Sequence, residues 1–426
     1  MKNAILSLAI VAECVAFMVF TGYAQQQSTM SLESYVALAA KNNPQIKAAN
    51  AAIASGVASW KSSRSRLLPQ IGGAVNASGN MSPSAISNNN ELFNNGYSAA
   101  ISGQQLLFDF GKSYLSTKAG SQLVAAARQD AKNSLQTVVL NAKTAYFNYL
   151  LSQMLYAAAA EELSQTQAHL EQAKILFETG KQARYTVTAA EVDVANASVA
   201  VITTKSGIKL AKVQMEVAAG ISLGDPLTLC DSLVVTESDI SREQAITRAS
   251  DSLPQLVGLR ARLEAAKLQL TSAKTALLPN LNASAGIGYQ RENTSAWQQD
   301  WNVGVALAVP IYQGGYLAAA VASAQASVDM AKATLEENVQ AVQSTIDQAY
   351  YGKLEAAEKI SATRKLIESS QLSLQLAQER FATGVAATLE VTDAELVLAN
   401  AKSSLAQALY DYRTAHAKLL AAMGEM

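Results

Sequence analysis

The chain offers few residues whose type and spacing could do chemistry. Glu390 and Asp393 lie three residues apart, so a helix over this segment would present both carboxylates on one face. Such a pair could attract cations, but acids in the first turn of a helix also stabilise its macrodipole. Spacing alone favours this second, structural role.

The other candidates for chemistry are weaker. Neither of the two histidines, His169 and His416, has a second His or Cys at ligand spacing, so packing between helices is favoured over metal binding. Residues 111–113 (Gly-Lys-Ser) end like a phosphate-binding loop, but leucine stands where that loop requires its first glycine, so a helix start is predicted instead. We find no nucleophile with a matching base. The chain is therefore not predicted to be an enzyme or to hold a cofactor.

Composition excludes several classes of protein. The 426 residues include 33 Lys or Arg and 34 Asp or Glu, which is only 16% charged residues and a formal net charge of −1. Half of the residues are hydrophobic, so the chain can bury ample apolar surface and is not disordered. It has no basic run to bind nucleic acid. Two cysteines cannot form a disulfide framework.

The first 24 residues resemble a secretory signal peptide. Lys2 precedes an apolar stretch, and small residues stand at the positions before a cut after Ala24. Cleavage would remove Cys14 and leave Cys230, which we expect to be a half-buried core residue. No later run is long and apolar enough for a transmembrane helix. A secreted chain with so few charges is predicted to be a periplasmic protein or an outer-membrane β-barrel.

An internal repeat organises the rest of the chain. The sequence NPQI at 43–46 recurs as LPQL at 253–256, and LLPQI at 67–71 recurs as LLPNL at 277–281, both displaced by 210 residues. A displacement shared by two separate motifs indicates a duplication. We predict a signal peptide, a first repeat, a linker and a second repeat at residues 1–24, 25–219, 220–242 and 243–426.

Each repeat predicts a helix, two strands, a very long helix, a turn and a shorter helix. The long helices, 112–179 and 315–383, contain no proline, and at 1.5 Å per residue each would extend about 100 Å. The return helices, 187–219 and 388–422, are about half as long. Helices of this length need partners, and their Ala-rich seams are typical of close packing in a coiled coil.

The strand segments alternate between apolar residues and residues that are polar or small. A soluble β-sandwich would also alternate, so both architectures remain open. The absence of charge along each strand and the aromatic residues near the loop ends favour a membrane barrel. The residues predicted to face lipid are Ile71, Val75, Tyr97, Ile101, Ile287, Tyr289, Trp301, Val303, Val305 and Leu307.

Four strands in one chain cannot close a barrel, and an open sheet cannot lie in lipid with unpaired edges. Several chains must therefore contribute. A dimer would supply eight strands, about enough for a filled interior, whereas a trimer would supply twelve and leave a lumen. The small, polar inner face favours the lumen.

These features together resemble the TolC family of outer-membrane efflux proteins. The resemblance covers residues 31–424 and rests on the two repeated proline motifs, on FDFGK at 108–112 with its counterpart YQGGY at 312–316, and on the turns after Gly180 and Gly384. It implies an α+β membrane protein with two internal repeats. Three copies would form a 12-stranded β-barrel in the outer membrane, continuous with an α-helical barrel in the periplasm.

The resemblance also implies a function and partners. Members serve as passive exit ducts in the outer membrane of Gram-negative bacteria, for drugs, other small molecules or proteins. The cargo is delivered by an inner-membrane transporter through a periplasmic adaptor protein. The alternative is a periplasmic coiled-coil adaptor or scaffold protein without channel activity, whose strands would form a soluble sandwich.

Site residues follow from the same resemblance. The segment 384–394, GVAATLEVTDA, resembles the family's G-x-x-[ST]-x-x-D-V-L-D-A, whose acids lie at the periplasmic constriction. Glu390 and Asp393 would therefore form two stacked carboxylate rings. Ala386 stands where the family has an arginine, which in some members links to an aspartate of the next protomer. The turns implied to contact the adaptor contain Gly180, Gly384, Thr186 and Thr388.

Overall fold

The computed structural model describes residues 30–80, 94–235, 240–293, 295–383, 385 and 387–426. The predicted signal peptide, with Cys14, and the tip residues Gly384 and Ala386 lie outside these ranges. The described residues form eight helices and four strands, which are α1 (Leu32–Asn42), α2 (Pro44–Ser65), β1 (Gln70–Asn80), β2 (Asn94–Phe108), α3 (Lys112–Glu178), α4 (Arg184–Ala219), α5 (Arg242–Ser252), α6 (Pro254–Thr275), β3 (Asn280–Glu292), β4 (Gln298–Ala308), α7 (Tyr316–Ala382) and α8 (Thr388–Met423).

The predicted order of helices and strands is confirmed. The long helices α3 and α7 have 67 residues each and match the predicted bounds to within a residue. Helix α4 begins at Arg184, three residues before the predicted start. The short helices α1 and α5 were not predicted, although Ser241 and Gln244 form a capping box at the start of α5 that the sequence signals.

The strands form one antiparallel sheet in the order β1-β2-β3-β4. Its register places the predicted lipid-facing residues on one face, because directly paired residues point to the same side of a sheet. Examples are the pairs Ile101↔Ile287, Ile287↔Trp301 and Ala285↔Val303. The opposite face pairs small polar residues away from the loop ends, among them Asn76↔Ser98 and Ser284↔Gly304.

Two pairs of helices pack against α3, and the members of each pair follow one another along its length. Helices α2 and α4 contact α3 in turn along its length, as do α6 and α8, and α7 packs against both α6 and α8. Where α4 ends, Gly220 adopts a positive φ of 69°, and a Cβ there would lie 2.9 Å from Pro44 Cδ. Asn43 Nδ2 donates a hydrogen bond to the Ala218 carbonyl, at 2.8 Å. Helices α2 and α4 therefore stack end to end.

The largest core lies where α1 and the linker pack on α3 and α4. Tyr35 donates a hydrogen bond to the Met215 carbonyl at 2.7 Å, and Tyr146 donates to Asp231 Oδ2 at 2.8 Å. The expectation that Cys230 is half-buried is wrong, because the linker runs over the surface of this core and leaves the thiol exposed. Within the described ranges, no helix has the length and apolar character needed to cross a membrane.

Candidate functional site

The two predicted constriction residues lie at the start of α8. This helix begins at Thr388 after the turn that follows α7, so Glu390 falls in its first turn and Asp393 one turn later. Asp393 is exposed, and Thr388 and Glu390 are partly exposed. The structure thus brings the two carboxylates to one face of a helix, next to the turn between α7 and α8.

Arg380, in the last turn of α7, pairs with the first of these acids. Its Nη1 lies 2.6 Å from Glu390 Oε1, and the side chains are 55% and 40% exposed. This pair joins the two sides of the hairpin and offsets part of the charge on Glu390. In the part of the chain that the structure describes, Asp393 has no salt-bridge partner. The pairing of Arg380 could not be predicted from the sequence, because the partners are ten residues apart across a turn.

The tip of the first hairpin, after α3, contains the predicted adaptor-contact residues Gly180 and Thr186. Gly180 has a φ of 71° just past the end of α3, as expected for a glycine after a helix. Thr186 is only 6% exposed, and its hydroxyl lies 3.3 Å from Gln182 Oε1. Thr186 therefore presents little of its side chain at the surface of the single chain, whereas the neighbouring Tyr185 is exposed.

A buried ionisable cluster, which the sequence did not predict, lies between the two hairpins. Glu395 on α8 is 3% exposed, and its Oε1 has no hydrogen-bond partner among the described residues. Burial, together with the charges of Asp193 on α4 and Glu162 on α3, raises the pKa of Glu395 to about 7. His169 on α3 is also buried, against the ring of Phe381 from α7.

The same cluster joins α8 to the first hairpin. Thr392 Oγ1 donates a hydrogen bond to Asp193 Oδ2 at 3.2 Å. Farther along α8, Lys402 forms an ion pair with Glu161 of α3 at 2.6 Å. Burial lowers the pKa of His169, opposed by the charge of Asp193. The described residues include no group of three or more His, Cys, Asp or Glu placed to hold a metal ion.

The face of the sheet predicted to meet lipid is fully apolar over its middle. Its ten predicted residues are 46 to 85% exposed in the single chain, so the described residues leave this face largely uncovered. The two outer strands, β1 and β4, each have one unpaired edge. The sheet therefore has both an apolar face and two open edges.

Comparisons with known proteins agree on one family. A family model described as "Outer membrane efflux protein" matches residues 35–220 and 245–425. The chain is 26% identical to the outer membrane protein TolC of Escherichia coli, over 96% of this chain and 84% of the relative. It is 25% identical to the outer membrane efflux protein BepC of Brucella suis, over 96% and 88%.

A solved structure supports the fold. The outer membrane channel CmeC of Campylobacter jejuni superposes with a TM-score of 0.82 at 18% identity, over 92% of this chain and 85% of that one.

Proposed function

This chain belongs to the outer membrane efflux protein family, and from this premise we propose that three copies form the outer-membrane channel of a tripartite export system. The channel is a passive duct that extends from the outer membrane into the periplasm. An inner-membrane transporter delivers drugs, other small molecules or proteins to it through a periplasmic adaptor. Family membership favours this function over that of a periplasmic adaptor or scaffold without channel activity.

The geometry of the sheet is the observation that supports this proposal most directly. One of its faces is apolar and exposed, the other is lined by small polar residues, and strands β1 and β4 leave backbone groups unpaired. Unpaired backbone groups are too costly in hydrocarbon for an open sheet to exist there. Pairing β4 of one copy with β1 of the next removes the edges. Twelve strands enclose a lumen, which the small polar face lines.

The helices also need neighbouring copies. Helices α4 and α7 lie at opposite ends of the packed row of helices, and each has an exposed apolar face. Packing α4 of one copy against α7 of the next covers both faces. The residues concerned are Val192, Val199, Ile202, Leu210 and Val213 on α4 and Met330, Leu366, Leu372 and Leu376 on α7.

The turns at the far end of the helices form the entrance of the duct in this proposal. In a trimer, Glu390 and Asp393 make two rings of three carboxylates. Because Arg380 already pairs with Glu390, the ring at Asp393 carries the larger unneutralised charge. The adaptor contacts these turns, at Gly180, Gly384 and Thr388 and at Tyr185 beside the buried Thr186.

Conductance in planar lipid bilayers tests the constriction. We expect Asp393→Ala to reduce cation preference and the block by multivalent cations, and Glu390→Ala to have the same effect more weakly. Glu358→Ala, an exposed acid in the middle of α7, is the control and should leave both properties unchanged. Unaltered selectivity and block in both tip variants would place the constriction elsewhere.

Co-purification tests the tripartite assembly. Affinity-tagged channel isolated from cross-linked cells should bring down one adaptor and one inner-membrane transporter. Recovery of the protein in the soluble periplasm, without trimers in the outer membrane, would instead support the scaffold function.

A further inference from the structure

Three helix ends next to the sheet repeat one arrangement of side chains. Each carries an exposed, large apolar side chain close to the sheet and an exposed cation four residues away on the side remote from the sheet. The pairs are Leu68 after the end of α2 with Arg64 in its last turn, Leu278 after the end of α6 with Lys274 in its last turn, and Tyr114 with Lys118, both on α3. Lys61 extends the set by one further turn of α2. These four cations are the rim cations.

The rim cations are not balanced by acids of the chain. Within the described ranges, none of Lys61, Arg64, Lys118 and Lys274 takes part in a salt bridge. The carboxylate of Asp109 accepts hydrogen bonds from the backbone N–H groups of Gly111 and Ser113, and it forms no salt bridge with any of these four cations. The first three turns of α7 carry no charge. A chain with a formal charge of −1 thus concentrates positive charge at this level.

Helix contacts indicate on which side of α3 the side chain of Lys118 lies. On α3, Ala119 packs with Ala265 of α6, and a Cβ at Gly120 would lie 3.4 Å from Trp60 of α2. Successive residues are about 100° apart around a helix, so these two contacts lie on one side of α3, and Lys118 is about 100° beyond Ala119, away from Gly120. Lys118 lies in the wide arc that remains. In a closed ring of helices, the wide free arc is the outer one.

We propose that the rim cations bind the phosphate groups of anionic phospholipids at the periplasmic surface of the outer membrane. The inference rests on the proposed function, which places the sheet in that membrane. Each apolar side chain enters the acyl region, and the cation beside it reaches back to the head groups, as long basic side chains do at membrane surfaces. The partner is recognised by its negative charge, which zwitterionic lipid lacks.

Lipid preference of the purified trimer tests the proposal. Native mass spectrometry would count phosphatidylglycerol and phosphatidylcholine bound from an equal mixture. A cation near an anionic surface changes affinity about fivefold. We therefore expect the variant K61Q/R64Q/K118Q/K274Q to lose at least about fivefold of the preference for phosphatidylglycerol. The control K181Q/K205Q/K209Q/K365Q removes four exposed lysines far from the sheet and should keep it.

The outcomes separate this proposal from the proposed function. No preference in the native protein, or an unchanged preference in the rim variant, overturns the lipid site and leaves the channel intact if the trimers still conduct. A rim variant with altered ion selectivity and unaltered lipid preference would mean that the cations face the lumen, which also overturns the lipid site. Failure of the native protein to form membrane trimers would overturn both.

Discussion

Glu395→Gln is predicted to stabilise the protein at neutral and alkaline pH but not in acid. The carboxylate is almost fully buried, one oxygen lacks a partner, and the pKa rises from 4.5 to about 7. Each unit of pKa difference between folded and unfolded states corresponds to about 1.4 kcal/mol, so ionised Glu395 costs about 3 kcal/mol per chain. Gln fills nearly the same volume without the charge.

The direction of the pH dependence follows from the raised pKa. Below about pH 4.5 the side chain is protonated in both the folded and the unfolded chain, and it imposes no penalty. The penalty grows between pH 4.5 and 7 and is complete above 7. The pKa of His169 is lowered by burial. Acidification therefore destabilises the fold through His169, because its ring is protonated more readily in the unfolded chain. Both the native protein and the Glu395→Gln variant keep His169, so the difference in stability between them reports the effect of Glu395.

Thermal unfolding followed by circular dichroism at several pH values, in one detergent, measures this effect. The variant should melt above the native protein at pH 8, and the difference should vanish near pH 4. Glu191→Gln is the control, because EVDVAN at 191–196 in the first repeat matches ELVLAN at 395–400, displaced by 204 residues, and Glu191 is exposed. A pH-independent difference, or a variant less stable throughout, would refute the argument that Glu395 is buried and ionised at a cost.

Three further predictions concern the fold and the tip. Gly220→Ala should destabilise the fold by about 1–3 kcal/mol, because the positive φ and the neighbouring proline leave no place for a Cβ. The control, Gly207→Ala, lies in open space within α4 and should stabilise the fold by about 0.5–1 kcal/mol. Thermal melts that rank the two variants otherwise would contradict the end-to-end stacking. Val303→Lys should destabilise the membrane-inserted protein by about 2–4 kcal/mol and reduce the amount of trimer in the outer-membrane fraction. Gly304→Ser, on the other face of the sheet, should not reduce it. Normal assembly of the Val303→Lys variant would mean that Val303 does not contact lipid. Arg380→Ala should raise cation selectivity in bilayer recordings by exposing its partner carboxylate, and unchanged selectivity would mean that this pair lies away from the ion path.

Features set by local pattern could be predicted from the sequence. Pro69 and Pro279 follow the ends of α2 and α6, and the proline-free stretches match α3 and α7. The alternation of apolar and polar residues fixed the faces of the strands, which the register reproduces. The duplication predicted the same order of helices and strands for both repeats.

Features that depend on distant neighbours could not be predicted. Glu395 and Glu191 occupy equivalent positions in the two repeats, but Glu395 alone is buried, because α8 packs against α3 of the first hairpin. The Arg380–Glu390 pair depends on the geometry of a turn. Cys230 is exposed because the linker runs over a core built from residues far away in the sequence.

Cross-linking of the sheet edges tests the central claim, that three copies close one barrel. In a Cys230→Ser background, Val75→Cys on β1 would be combined in turn with Val303→Cys and Val305→Cys on β4, and membranes would be treated with a short bifunctional thiol reagent. Covalent dimers and trimers, with nothing larger, are the predicted products on a denaturing gel. Monomers at every pairing, or a ladder that continues beyond three chains, would contradict closure by three copies.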